Sequence, residues 1–136
     1  MRYLRPMIHV TLPVMLAAIM PNLLTLIAKT GVFTARDNHE TRAWQSTLTG
    51  WRQRAHWAHL NSYEAFPPFA AGAILAYLAA PHSTTIPLAA WGFVACRVAY
   101  AACYITDRAR LRSVVWFLGV ICVVALFVVA LTPTGT

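Results

Sequence analysis

Four apolar stretches, each long enough to cross a lipid bilayer, dominate this chain. They cover about residues 8–28, 58–80, 86–106 and 113–132. A transmembrane helix needs roughly 20 predominantly apolar residues, and each stretch has that length. Because 59% of the residues are hydrophobic and only 11% are charged, the chain is too apolar for an ordinary soluble domain. The sequence therefore predicts an all-α integral membrane protein, a four-helix bundle that forms one domain over residues 1–136.

The basic residues gather in the connections between these stretches. The formal net charge of +7 raises the question of nucleic-acid binding, which requires basic residues on one water-exposed face. Here most of them lie at about residues 29–57 and 107–112. Lys and Arg of membrane proteins favour cytoplasmic loops. We therefore expect both connections in the cytoplasm, both termini on the other side of the membrane, and no nucleic-acid partner.

The three cysteines, Cys96, Cys103 and Cys122, all fall within predicted spans. Their odd number and expected burial argue against a disulfide framework. A free cysteine in a helix behaves as a small apolar residue. We interpret all three as packing residues.

Polar residues crowd the beginning of the second span, between residues 52 and 68. A polar group carried into a membrane is costly unless it is paired or faces protein or water, so such a cluster predicts a functional site. Four of its residues fall along one stripe of a helix: Arg54, Trp57, Asn61 and Glu64. Pro67 and Pro68 follow, and two adjacent prolines predict an interruption or bend in this helix.

A second polar stripe lies on the third span, where Arg97, Tyr100 and Tyr104 share one helix face. If both stripes line a common cleft, it offers guanidinium groups, a carboxylate, an amide and phenols. Such groups bind a small zwitterionic molecule, since arginine takes carboxylates in a bidentate manner. The alternative is structural: Glu64 only neutralises Arg97 inside the protein, because buried charges must be paired.

A metal site is a weaker hypothesis for the same region. His56, His59 and Glu64 are close in sequence, but Glu64 lies about 140° around a helix from His59. Zinc requires several converging ligands, and no further ligand is near in sequence. We therefore predict no metal site and interpret these histidines as hydrogen-bonded to backbone or to lipid headgroups.

Three segments carry a more specific pattern. They are Arg54-Ala-His-Trp-Ala-His-Leu-Asn61-Ser-Tyr-Glu64-Ala-Phe-Pro67, Arg97-Val-Ala-Tyr100-Ala-Ala-Cys-Tyr104 and Leu111-Arg112-Ser113-Val-Val-Trp116. Together they resemble the MAPEG family, membrane-associated proteins in eicosanoid and glutathione metabolism, and above all its short bacterial members. The resemblance implies a left-handed four-helix bundle of the bacterial inner membrane. It also implies a homotrimer that holds glutathione between neighbouring protomers.

The resemblance further implies roles for individual residues. The positions that match glutathione-binding positions of the family are Asn61, Glu64, Arg97, Tyr100 and Tyr104. Arg112 matches an arginine that stabilises the glutathione thiolate, and Ser113 is its hydrogen-bonding neighbour. Trp57 stands where family enzymes commonly have an arginine, which removes a carboxylate clamp that Arg54 is a candidate to replace. Trp116 stands where several members have a tyrosine.

Two functions remain open at this point. The first is a glutathione-dependent transferase or peroxidase that acts on hydrophobic electrophiles entering from the bilayer. The second is a non-catalytic membrane subunit or lipid-binding scaffold, alone or within a larger membrane complex, whose site has diverged at Trp57.

Overall fold

Helices are the regular elements throughout the part of the chain that the structure describes. A computed structural model gives the backbone of residues 4–132 and the side chains of residues 7–132. The helices are α1 (Leu4–Lys29), α2 (Thr41–Ser46), α3 (Gly50–Ala79), α4 (Thr85–Ile105) and α5 (Ala109–Leu131). The prediction of an all-α protein is confirmed.

Three of these helices, α1, α4 and α5, are long and apolar enough to cross a membrane. They include most of the first, third and fourth predicted spans. α3 is the longest helix, with 30 residues, but its first half carries the polar cluster, which lowers its overall hydropathy. The three apolar helices indicate a multi-pass membrane protein, and the crossing by α3 stays a prediction.

Helix continues beyond the apolar stretches into both connections. α3 begins at Gly50, well before the apolar stretch at about residue 58, and α5 begins at Ala109. The short helix α2 lies within the first connection. Hydropathy marks only the part of a helix that suits lipid, whereas helical hydrogen bonding continues through polar residues that suit water.

The predicted interruption at Pro67 and Pro68 is wrong, because α3 runs unbroken through both; the bend stays a prediction. Each proline removes one backbone donor, and a membrane helix tolerates this loss when neighbouring helices hold it in place. The next residue, Phe69, is fully buried and stacks on Phe93 of α4 with ring centroids 4.0 Å apart. Packing against α4 thus anchors α3 directly after the two prolines.

Small residues bring the helices close together. One core cluster contains four buried alanines of α3 and α4: Ala73, Ala76, Ala89 and Ala90. A Cβ atom added to Gly72 of α3 would lie 3.2 Å from the Phe127 ring and 3.3 Å from the Leu126 Cβ. Since lipid is as apolar as the side chains, such close packing, and not the hydrophobic effect, associates helices within a membrane.

A tight turn joins α4 to α5. Asp107 has φ 61°, in the left-handed region that Asp tolerates better than most residues. The N–H of Asp107 donates to the Tyr104 carbonyl at 3.2 Å, and that of Arg108 to the Cys103 carbonyl at 2.8 Å. These two bonds cap the end of α4. They also hold the backbone of Asp107 in place. Its carboxylate lies 3.9 Å from Arg54 Nη1 of α3.

Both basic connections lie at one end of the molecule. Arg54 of α3 donates through Nε to the Ile105 carbonyl at the end of α4, at 3.2 Å. Arg52 donates through Nη2 to the Thr30 carbonyl after α1, at 3.1 Å. The terminal residues 1–3 and 133–136, on which the predicted orientation of the termini depends, lie outside the described part.

We expect Gly72→Leu to destabilise the protein, since the larger side chain has no space between α3 and α5. Overpacking of a core costs about 1–3 kcal/mol. Ala71→Leu on the exposed neighbouring position is the matched control and should change stability little. Unfolding of both variants in detergent micelles measures the difference. Equal effects would contradict the close contact of α3 with α5.

Candidate functional site

Arg97 is the one buried charged residue among the described side chains, with 4% of its surface exposed. Its Nη2 donates to Asn61 Oδ1 at 3.0 Å and to Ser62 Oγ at 3.2 Å, both on α3. Its guanidinium carbon lies 4.3 Å from the centroid of the Tyr100 ring. Its Nε is buried and has no hydrogen-bond partner within the described part. The positive charge of Arg97 is thus surrounded by neutral acceptors and by the face of an aromatic ring.

Glu64 does not pair with Arg97. Among the described residues the only ion pair within 4.0 Å is that of Arg54 with Asp107. Glu64 Oε2 accepts a hydrogen bond from Asn61 Nδ2 at 3.3 Å instead. Asn61 therefore lies between the two charges, and its amide contacts both. The structural alternative, with Glu64 as the direct counter-ion of Arg97, finds no contact to support it.

Two tyrosine rings extend these contacts to α5. The rings of Tyr100 and Tyr104 meet edge to face, with centroids 5.5 Å apart. The guanidinium carbon of Arg112 lies 4.2 Å from the Tyr104 centroid, and Trp57 approaches the same ring at 6.2 Å. We call the connected set the polar network. Its members are Asn61, Glu64, Arg97, Tyr100, Tyr104 and Arg112.

Two grooves border the polar network, and Asn61 and Glu64 line both. The apolar groove, of about 320 Å³, lies between α3, α4 and α5 and also exposes Arg97 at its polar end. Its other walls are Ala65, Pro68, Phe93, Trp116, Gly119, Val120, Val123 and Val124. The tyrosine groove, of about 350 Å³, is completed by Trp57, Leu60, Tyr100 and Tyr104. A polar and an apolar binding surface therefore meet at Asn61 and Glu64.

One comparison with known proteins identifies the family of this chain. The model of the MAPEG family matches residues 10–132, nearly the whole chain. The chain belongs to the MAPEG family. Neither a curated protein nor a solved structure matches it. The resemblance inferred from the three sequence segments is thereby confirmed at the level of the family.

Arg54 does not join the polar network of this MAPEG protein. Its Nε and Nη1 are directed to the Ile105 carbonyl and the Asp107 carboxylate, and it lines neither groove. Arg54 thus tethers the start of α3 to the turn after α4. With these bonds, Arg54 does not supply the guanidinium that the family resemblance leads one to expect at the position of Trp57.

Ser113 and Ser62 each donate a hydrogen bond to the backbone carbonyl four residues earlier in the same helix. The exposed Ser113 donates to the Ala109 carbonyl of its own helix at 3.2 Å. The buried Ser62 donates to the Ala58 carbonyl at 2.7 Å and also accepts from Arg97. The polar stripes predicted on α3 and α4 did not include Ser62, although a buried serine in a helix needs such partners.

His59 connects α3 to α1 in this MAPEG protein. His59 Nδ1 lies 2.8 Å from both the Pro21 carbonyl oxygen and Thr25 Oγ1. Because a carbonyl only accepts, the bond to Pro21 requires the proton on Nδ1. The interpretation of His59 as hydrogen-bonded to backbone is confirmed. His56 stacks on His59 with centroids 5.6 Å apart, and no group of three or more potential ligands in the described part is placed to hold a metal.

We expect Ser62→Ala to lower the stability of the folded protein, because it takes an acceptor from the buried Arg97. Leaving a buried donor without its partner costs about 1–3 kcal/mol. Ser113→Ala removes a similar local bond without a second partner and should change stability by less than about 0.5 kcal/mol. Unfolding in detergent compares the two. Equal stabilities would show that Ser62 does not support Arg97.

Proposed function

We propose that this MAPEG protein binds glutathione, or a similar small thiol, at the polar network. One observation carries the proposal: among the described residues, Arg97 has no anionic partner and Glu64 has no cationic partner. Both line the apolar groove at its polar end. Glutathione carries carboxylates, which a guanidinium binds well, and an ammonium group, which a carboxylate binds. The ligand would supply the charges that the site lacks.

We assign the activation of the thiol to Arg112. Its guanidinium rests on the Tyr104 ring, at the end of the network opposite Glu64. A nearby cation favours the thiolate and lowers the thiol pKa from its ordinary value near about 8.5. The thiolate would then displace a leaving group from an electrophilic carbon or attack the O–O bond of a hydroperoxide. Ser113, whose hydroxyl is bonded within its own helix, would have to reorient to assist.

The apolar groove would hold the second substrate. Its valines and Phe93 suit a hydrophobic molecule, and its polar end at Asn61 and Glu64 is shared with the tyrosine groove. Binding sites of this kind are largely apolar with a few polar groups that fix orientation. A hydrophobic electrophile in this groove would meet a thiol bound along the tyrosines. The reaction class is therefore glutathione transfer or peroxide reduction.

We further propose that α3 crosses the bilayer as the fourth span of a four-helix bundle in the bacterial inner membrane. Its second half is apolar, and it packs against α1, α4 and α5. We also propose a homotrimer with the thiol between protomers. Glu64 is exposed in the single chain, where a neighbouring protomer would cover it.

A second candidate function is a non-catalytic membrane subunit or lipid-binding scaffold of the same fold. Trp57 favours it, because an indole at this position cannot clamp a carboxylate as a guanidinium does. Arg54, committed to Ile105 and Asp107, does not replace the lost clamp. The two candidates differ in whether purified protein turns over glutathione and whether it isolates as a homotrimer or with a larger complex.

We expect Glu64→Gln to weaken glutathione binding about tenfold, because a charge-assisted hydrogen bond to the ammonium group is worth about 1.5–3 kcal/mol. Glu40→Gln is the matched control, since Glu40 is exposed beside α2 and lines neither groove of the site. Isothermal titration of the purified protein in detergent measures both. Unchanged affinity in Glu64→Gln would remove Glu64 from the site.

We expect Arg112→Ala to lower kcat/KM for conjugation of glutathione to a chlorinated aromatic acceptor by at least about tenfold at pH 7. The loss should shrink as the pH rises, because the thiol then ionises without help. Arg110→Ala, an exposed arginine on the same helix, is the control and should retain activity. Absence of glutathione-dependent turnover in the unsubstituted protein would favour the scaffold.

A further inference from the structure

A third groove lies between α2 and the first half of α3, outside the polar network. It has a volume of about 510 Å³. We call it the α2–α3 groove. Its polar lining is formed mainly by Arg42, Gln45, Gln53 and His56, and its apolar edge by Trp57 and Leu60. Two further lining side chains already form hydrogen bonds elsewhere: Ser46 donates to the Ala43 carbonyl, and His59 bonds to α1.

The α2–α3 groove offers hydrogen-bond donors and a positive charge without a compensating carboxylate. Arg42 is exposed and forms no ion pair within the described part. No acidic side chain lines the groove. Asp37 and Glu40, the nearest acids in sequence, border a separate depression. Thr34 donates to Asp37 Oδ2 through its N–H at 2.8 Å and its hydroxyl at 2.7 Å, and these bonds lower the pKa of that carboxyl.

The apolar edge of the groove lies on α3 where its apolar stretch begins. Trp57 is 43% exposed and Leu60 45% exposed, at the start of the stretch of α3 that suits lipid. Tryptophan is enriched where a membrane meets water. Basic side chains at the same level attract anionic lipids. The donors of the groove and its apolar edge therefore match the two parts of a lipid, headgroup and acyl chain.

We propose that the α2–α3 groove binds the phosphate group of an anionic membrane lipid. The phosphate oxygens accept hydrogen bonds from the Arg42 guanidinium and from the carboxamides of Gln45 and Gln53. The acyl chains lie along Trp57 and Leu60. This site is distinct from the polar network. It shares Trp57 and Leu60, its apolar edge, with the tyrosine groove. It operates whether or not the protein is a glutathione enzyme.

The test titrates the purified full chain, in a neutral detergent, with phosphatidylglycerol and follows binding by native mass spectrometry. We expect Arg42→Gln to weaken binding about fivefold, the contribution typical of one basic residue near an anionic lipid. Arg36→Gln is the matched control. Arg36 is exposed on the same connection but borders the other depression, and its loss should change the affinity less than about twofold.

Two further arms identify the source of the phosphate. Phosphatidylcholine should bind more weakly than phosphatidylglycerol, and inorganic phosphate at equal concentration should not displace the lipid. Gln53→Leu, which removes a donor and no charge, should weaken phosphatidylglycerol binding in a protein that retains its helical circular dichroism. Equal losses in Arg42→Gln and Arg36→Gln would overturn the proposal, since they indicate diffuse attraction only. Displacement by inorganic phosphate would also overturn it, because the acyl chains would then contribute nothing.

Discussion

The burial of Arg97 is the constraint on which this structure depends. A guanidinium inside a membrane protein is stable only where other groups satisfy its donors. α4 supplies the Tyr100 ring beneath it, and α3 supplies the acceptors Asn61 and Ser62. These contacts fix how α3 and α4 lie along each other at the polar end. The interaction that holds the two helices in place is therefore also the one that builds the candidate site.

The two halves of α3 serve different purposes around this contact. The second half packs through small residues and through Phe69, which stacks on Phe93. The first half carries polar side chains that contact α1 through His59 and the end of α4 through Arg54. Because one continuous helix joins both halves, packing in the apolar interior positions the polar residues. Glu64 is exposed on this helix and lines the same groove as the buried Arg97, and the two form no ion pair.

Regular spacing predicted those parts of the site that depend on a single helix. The offsets between Arg97, Tyr100 and Tyr104 predicted one face, and the rings do contact one another. Spacing on α3 did not reveal the partners of Arg54, because they are the Ile105 carbonyl and Asp107, at the end of α4 and in the left-handed turn after it. Likewise, α3 continues through its two prolines because of contacts with another helix. Such non-local causes are invisible to helical periodicity.

Trp57 lies at the edge of both the tyrosine groove and the α2–α3 groove. Its indole packs near Tyr104 and offers an apolar surface with one N–H donor. An arginine there would add a cation near the Tyr104 ring, whereas the indole adds none. The cations beside the two tyrosine rings are Arg97 at Tyr100 and Arg112 at Tyr104. Trp57 thus borders two proposed sites: one would pair both charges of a zwitterionic thiol, and the other would pair a lipid phosphate with Arg42 and the acyl chains with the indole.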